Sequence, residues 1–499
     1  MSTVERFLSR EHWLPLAFLA VLSFATIVSG FSRPQALFWD ENYHIASAQK
    51  YLNGVFFMEP HPPLAKLLIA AGEGLLQRNE RDDQFLKTDY ATNPPEGFDF
   101  TGYRLFPVLF AWLTAGLLYA IFFVLCRNAT WSMLLSLPYA FDNALIVHGR
   151  SAMLDSILLF FAMATMLAFL LLVRPRPGSN VVHASLLFGA AFGCAMTTKA
   201  FALILILVVP LILWTMRSDR DRMMRFVAAA GGAFLAVFVG VWYVHFALIG
   251  TVEPRLPDDG YYQSSERAKA YIDAGATASP AAFPVLLGDA MRFVSHYEAG
   301  VPKLDLAKDD ENGSPWFLWP IGARTINYRW ETPDGYSYRY LYLVPNPVTW
   351  LVALACMLVG TVLFLAPYVV HDAKKSPWHF ELGTLLLLYS CYLIAVSRIE
   401  RVMYLYHYFL PLLFSFIVTG IVLLSVKGVG RWTLSDRRRS MVLLGFAVAS
   451  FLGFQAYRQF TYYEPLTDDQ VTARAIFKLW DLHCVECEAP HPLAIPTKS

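Results

Sequence analysis

Residues Tyr103 to Cys126, YRLFPVLFAWLTAGLLYAIFFVLC, form an almost unbroken apolar run. About 20 such residues, coiled as a helix, cross a hydrocarbon core of about 30 Å. Arg127 ends the run, and a second begins at Trp131 and reaches Val147. The same alternation extends in both directions. Trp13–Phe31 precedes it. Met153–Val173, His183–Thr198, Phe201–Met216, Phe226–Ile249, Val348–Val370, Leu382–Val396, Val402–Val426 and Met441–Tyr457 follow, so the pattern predicts about eleven spans. Lys199 is the only charge dividing the fifth run from the sixth, and a break at the membrane surface costs less than a lysine at mid-membrane. Of the 499 residues, 56% are hydrophobic and 16% charged, against roughly a quarter charged in soluble domains. Short alternating segments of a membrane barrel are missing, and lipid demands internal satisfaction of every backbone amide, so the expected class is an all-α polytopic membrane protein.

Orientation follows from lysine and arginine in short connections. Arg127, Arg174 and Arg176, the Arg217–Arg225 group, Lys374 and Lys375, and the Lys427–Arg439 group fall on one side. That side is expected to be cytoplasmic and to hold the N-terminus. The first run lacks a following small-residue cleavage site and reads as an anchor. Two long connections, 32–102 and 250–346, then lie outside, as does a tail from 458 to 499. Residues 1–457 form the membrane module. In the first connection, Leu64, Leu67, Leu68, Ala71 and Leu75 recur at helical spacing, predicting an amphipathic helix at the interface.

That connection also carries the densest chemistry: Phe38-Trp39-Asp40-Glu41-Asn42-Tyr43-His44, then His61-Pro62-Pro63-Leu64-Ala65-Lys66. A carboxylate beside the membrane is partly desolvated, which raises its pKa and suits it to take a proton from a hydroxyl. Adjacent loop acids are also commonly just solvated. Asp142, Arg150, Asp155, Lys199, Arg398, Arg401 and His407 are unusual polar residues, most of them at the outer ends of runs. Arg150 and Asp155 could simply pair, and His407 could be a satisfied core histidine. Convergence of acids and cations at one depth fits a site for an anionic lipid headgroup better.

Trp39-Asp40-Glu41, Lys50-Tyr51-Leu52-x-Gly54 and His61-Pro62-Pro63-Leu64-Ala65-Lys66-Leu67-Leu68 resemble the first outer loop of the protein O-mannosyltransferase family. Asp142-Asn143, Arg150-x-x-x-Leu154-Asp155 and Gly193-Cys194-Ala195-Met196-Thr197-Thr198-Lys199 are similar to its next stretches. Pro315-Trp316-x-x-Trp319-Pro320, Asn346-Pro347-x-x-Trp350 and Tyr406-His407-Tyr408-x-x-Pro411 match in its second half. The resemblance implies a GT-C glycosyltransferase fold fed by a polyprenyl-phosphate sugar. Asp40 would be the general base of an inverting transfer, with Glu41 shaping the acceptor site. Arg150, Lys199 and Arg398 would hold the donor phosphate, with His61, Lys66, Asp155 and His407 completing the substrate site. Such a clamp can substitute for a metal, so neither metal nor cofactor is expected. Eukaryotic members carry β-trefoil repeats between spans seven and eight, and about 95 residues are too few for them. That implies a bacterial- or archaeal-type member in the plasma membrane.

The expected activity is transfer of a hexose, mannose by resemblance, to a hydroxyl on protein Ser/Thr. A glycolipid, lipid A or polysaccharide acceptor is the alternative within the class. A lipid-linked sugar transporter is the rival from another class, but the chain lacks the paired halves with broken helices that such proteins show. A net charge of +1 gives no nucleic-acid footprint. Cys484 and Cys487 form a CxxC, a spacing shared by zinc sites, redox motifs and small disulfides, and the absence of a second CxxC argues against a zinc ribbon.

Overall fold

The computed structural model describes residues 10–482 except 86–90, 92–93, 256, 309–310, 334–336 and 430–431. Cys484 and Cys487 lie outside the described residues. Helix α1 (Arg10–Ser23) closes with a π-helical turn, Phe24–Val28. Helices α2 (Glu41–Leu52) and α3 (Leu64–Leu76) occupy the first long connection. Then come α4 (Thr101–Cys126), α5 (Ala129–Ala140), α6 (Asn143–Gly149), α7 (Asp155–Val173) and α8 (Val181–Met196). A 3-10 stretch, Ala200–Leu207, runs into α9 (Val208–Met216), and α10 (Arg220–Leu248) ends the first half.

The second long connection folds as α11 (Asp259–Gln263), α12 (Glu266–Asp273), α13 (Phe283–Gly300) and an antiparallel hairpin of β1 (Ile326–Glu331) and β2 (Tyr338–Leu343). Helices α14 (Pro347–Val369), α15 (His379–Val396), α16 (Phe409–Ser425) and α17 (Asp436–Ala456) complete the bundle. Among the described residues, seven helices are long and apolar enough to cross a membrane, and Trp13–Val28, Val181–Met196 and Ala200–Met216 are shorter apolar ones. The bundle core gathers around α4, α7 and α16, whose apolar side chains interlock.

One expected run is interrupted, and one expected division is confirmed. The run Trp131–Val147 breaks at Phe141-Asp142 because the Asp142 side chain caps α6 (Leu145 N, 3.1 Å) instead of continuing α5. The same carboxylate accepts from Thr349 Oγ1 at 2.7 Å and Trp350 Nε1 at 2.9 Å, which ties α6 to α14. Asp142 is therefore a structural acid. At Lys199 the backbone is extended, so the fifth and sixth runs are divided there as the charge requires.

Helix α3 is amphipathic in the expected sense. Ala71 and Leu75 are exposed and Leu64, Leu67 and Leu68 partly so, while Ala65, Lys66, Ile69, Gly72 and Glu73 face the bundle. A Cβ on Gly72 would lie 2.3 Å from the Gly102 carbonyl oxygen, so only glycine lets α3 lie directly on the start of α4. Residues 458–482 fold back rather than trail away. Pro465–Leu466 pairs with β2, and Tyr457, Phe460 and Trp480 pack with Tyr338, Tyr340 and Tyr342.

Candidate active site

The two adjacent acids serve different ends. Trp39 is held at φ 51°, in the left-handed region that a bulky residue rarely adopts, immediately before Asp40 at the N-cap of α2. Glu41 is fully buried and accepts from Arg104 through both oxygens, Nε at 2.7 Å and Nη2 at 2.8 Å. It also accepts from the Ala152 amide at 2.9 Å. Arg104, equally buried, donates onward to the carbonyls of Ser32, Pro34 and Ala36. This bidentate pair pins the loop that presents Asp40 to α4 and to the start of α7. The expected acceptor-shaping role of Glu41 is corrected accordingly: its oxygens are already occupied and no substrate can reach them.

Asp40 instead faces an aromatic wall. Tyr406 Oη donates to its Oδ2 at 3.2 Å. Trp39 stacks on Tyr328 at 5.2 Å and meets Tyr404 and Tyr406 edge-on. Burial pushes the Asp40 carboxyl above the usual aspartate range, opposed by the Tyr406 hydrogen bond and the charges of Lys199 and His148. The side chain nonetheless stays partly accessible, as a base that must meet a substrate requires.

Behind that wall lies a continuous chain of polar groups. Lys199 Nζ donates to both Asp155 oxygens, at 2.9 and 3.2 Å. His148 Nε2 meets Asp155 Oδ2 at 3.0 Å, and its Nδ1 lies 2.7 Å from Tyr328 Oη. Asp155 is the first residue of α7, where the helix dipole favours an acid. Asp155 thus pairs with Lys199 and His148, not with Arg150. Lys199 Nζ sits 5.4 Å from the centre of the Tyr406 ring, whose hydroxyl bonds Asp40.

The first connection supplies the remaining wall. The Leu64 amide bonds the Thr197 carbonyl at 2.8 Å, which sets the start of α3 beside Lys199. Lys66 is buried and ion-paired with Glu59, which also accepts from Ser47. Burial pulls Lys66 below the ordinary lysine range, with Glu59 opposing. Burial, reinforced by Lys66 and Lys199, holds both His44 and His61 well below the ordinary histidine range. Both rings are therefore neutral hydrogen-bonding groups at neutral pH, and His44 Nδ1 has no partner among the described residues.

The structure brings Asp40, Asp155, His61 and Lys66 within electrostatic reach of Lys199 or of one another. His407 stands behind the aromatic wall: Nδ1 bonds the Tyr404 carbonyl at 3.0 Å, and the ring stacks on Tyr406 and Trp319. It braces the wall and is the satisfied core histidine. Two other expectations are corrected. Arg398 is exposed, beyond the end of α15, and Arg401 is the nearby cation whose charge acts on His61 and His407. Arg150 donates to the Gly30 carbonyl and lies 4.7 Å from the Tyr462 ring centre, away from the Lys199–Asp155 pair. His148, Tyr328, Tyr406 and Arg104 were missed. Tyr406 was visible only inside a matched motif; Arg104 and His148 lie in or at the end of apolar runs whose periodicity speaks of packing, and Tyr328 lies in the second long connection with no chemical neighbour in sequence to mark it.

Comparison with known proteins agrees with this architecture. Residues 17–252 match the family model described as dolichyl-phosphate-mannose-protein mannosyltransferase. Residues 294–480 match the C-terminal four-span region of protein O-mannosyltransferase. Dolichyl-phosphate-mannose–protein mannosyltransferase 1 of Saccharomyces cerevisiae is 26% identical over 49% of this chain and 31% of its own length. Protein O-mannosyl-transferase 2 of Danio rerio is 24% identical over 52% of this chain and 36% of its own. The matched region is thus about a third of these curated relatives. Among solved structures, a protein O-mannosyltransferase complex of S. cerevisiae bound to the sugar donor superposes with a TM-score of 0.79 at 15% identity, covering 96% of this chain and 94% of that one. The Archaeoglobus fulgidus oligosaccharyltransferase in its apo form gives 0.51 at 11% identity, over 100% and 62%. The expected GT-C fold is therefore the observed one. With both halves of the sequence matched in order and the fold shared along nearly the whole chain, this protein belongs to the protein O-mannosyltransferase family.

Proposed function

We propose that this chain is an inverting glycosyltransferase that moves a hexose, mannose by family membership, from a polyprenyl-phosphate donor to a protein Ser/Thr hydroxyl. One observation carries the reading: Lys199 acts at once on an accessible carboxylate of raised pKa, Asp40, and on two neutral histidines, so the four groups gather around one cleft. Asp40 takes the hydroxyl proton as the acceptor oxygen bonds to the anomeric carbon. The bond from that carbon to the phosphate oxygen breaks, and its electron pair leaves with the polyprenyl phosphate. Lys199 has three N–H donors, and Asp155 engages it through two oxygens, so a donor remains for the departing phosphate. His44 and His61 add neutral donors, and Arg401 adds positive charge. Leaving-group charge is met by these groups, and the reading requires no divalent ion. The cleft lies on the outer face of a plasma membrane, with the N-terminus cytoplasmic and the C-terminus outside.

The test is transfer by the purified chain in nanodiscs, with polyprenyl-phosphate mannose and a Ser/Thr peptide, run beside a glycolipid acceptor. Mannosylated peptide with the anomeric configuration opposite to the donor's is expected. Retained configuration would sink the single-displacement chemistry, and exclusive labelling of the glycolipid would replace the protein acceptor.

Tyr406→Phe gives a second test. The Tyr406 hydroxyl lowers the Asp40 pKa by bonding its charged form, so its loss lets the carboxyl protonate at higher pH. Activity needs the ionised acid, so the acid limb of the kcat/KM profile should move to higher pH. An unmoved limb would mean that it belongs to another group.

A further inference from the structure

Arg150 is a cation that the cleft does not use, and it lines a separate cavity of about 830 Å³. The cavity lies between the end of the first helix, at Ala25 and Ser29, and the end of α17, at Phe454. Arg33, Arg150, Arg329, Arg339 and Arg458 line it, against Glu331 and Glu464. Five guanidiniums less two carboxylates leave three positive charges unbalanced. The geometry within it is unfinished. Arg150 is 6% exposed and engages Gly30 and Tyr462, yet its Nη1 has no hydrogen-bond partner among the described residues. The Nε atoms of Arg329 and Arg339 are also buried without partners among the described residues. Glu331 stands 3.7 Å from Arg329 and 3.5 Å from Arg339, too far for strong hydrogen bonds.

Buried guanidinium N–H groups without acceptors are costly, and three in one cavity call for an anion with several oxygens. Guanidinium forks match phosphate geometry. The walls decide what carries that phosphate. Two helices of the membrane bundle form one side, and Val21 and Phe24 on the first are exposed within about a turn of Ala25. Val448, Phe451 and Leu452 are exposed within two turns of Phe454 on the other. Acyl chains can lie along these apolar faces while the headgroup enters the cavity.

We propose that this arginine cavity, distinct from the Asp40 cleft, binds the phosphate headgroup of an anionic phospholipid. The test uses the full chain reconstituted with equal phosphatidylglycerol and phosphatidylcholine, then washed in detergent and examined by native mass spectrometry for retained lipid. The three unbalanced positive charges predict retention of phosphatidylglycerol over phosphatidylcholine by more than about tenfold. Arg150→Gln and Arg339→Ala should each reduce it several-fold. Arg339 is 42% exposed, so its truncation leaves a folded control should the buried Arg150 variant fail. Equal retention of the two lipids, or unchanged retention in Arg339→Ala, would overturn the proposal. Displacement of the lipid by millimolar inorganic phosphate would instead assign the cavity to a free anion. Displacement by a polyglutamate peptide would assign it to an acidic chain, and either result ends the lipid reading.

Discussion

Asp40→Asn is expected to lower transfer by about 10²–10⁴-fold, the range that a positioned general base contributes, while leaving the bundle folded. The amide keeps the shape of the carboxylate and can still accept from Tyr406, so the packing of Trp39, Tyr328 and Tyr404 around it is preserved. What it loses is the capacity to accept the hydroxyl proton. Donor binding relies on groups across the cleft and should change little. The measurement is kcat for mannose transfer beside donor affinity and thermal unfolding of the same preparation. Wild-type turnover in the variant would remove Asp40 from the chemistry. A fall in transfer that tracks a lower unfolding temperature would instead make it a structural acid.

Glu41→Ala, one position along, should fail for a different reason. Removing one partner of a fully buried ion pair leaves an uncompensated guanidinium and costs about 3–5 kcal/mol. Arg104 also holds the carbonyls of Ser32, Pro34 and Ala36, so the loop leading to Asp40 loses its anchor as well. Thermal unfolding of the variant in nanodiscs reads the effect, and activity should fall together with stability. A Glu41→Ala protein of wild-type stability and selectively weakened acceptor KM would restore the acceptor-site role that the structure removes. The two neighbouring substitutions thus separate a chemical acid from a structural one.

The apolar runs needed no tertiary information. Crossing a hydrocarbon layer is a local demand on length and composition, so helices such as Thr101–Cys126 and Pro347–Val369 follow from their own residues. Lys199 marked its break for the same reason: a single charge is priced by its immediate surroundings. The Asp40–Glu41 pair, His61 and Lys66 could also be picked out, because polar groups beside a membrane are costly wherever the chain then goes.

What each of those groups does was beyond the sequence. Which of two adjacent acids is buried depends on Arg104, 63 positions from Glu41. Asp155 chose Lys199, 44 positions on, over Arg150 five positions before it, because helix ends meet across the bundle rather than along the chain. Asp40 and Tyr406 are 366 positions apart. Periodicity and spacing record the faces that a segment presents to lipid or protein. The pairing of charges is settled by distances between segments and by the low dielectric they enclose, and only the assembled bundle fixes those.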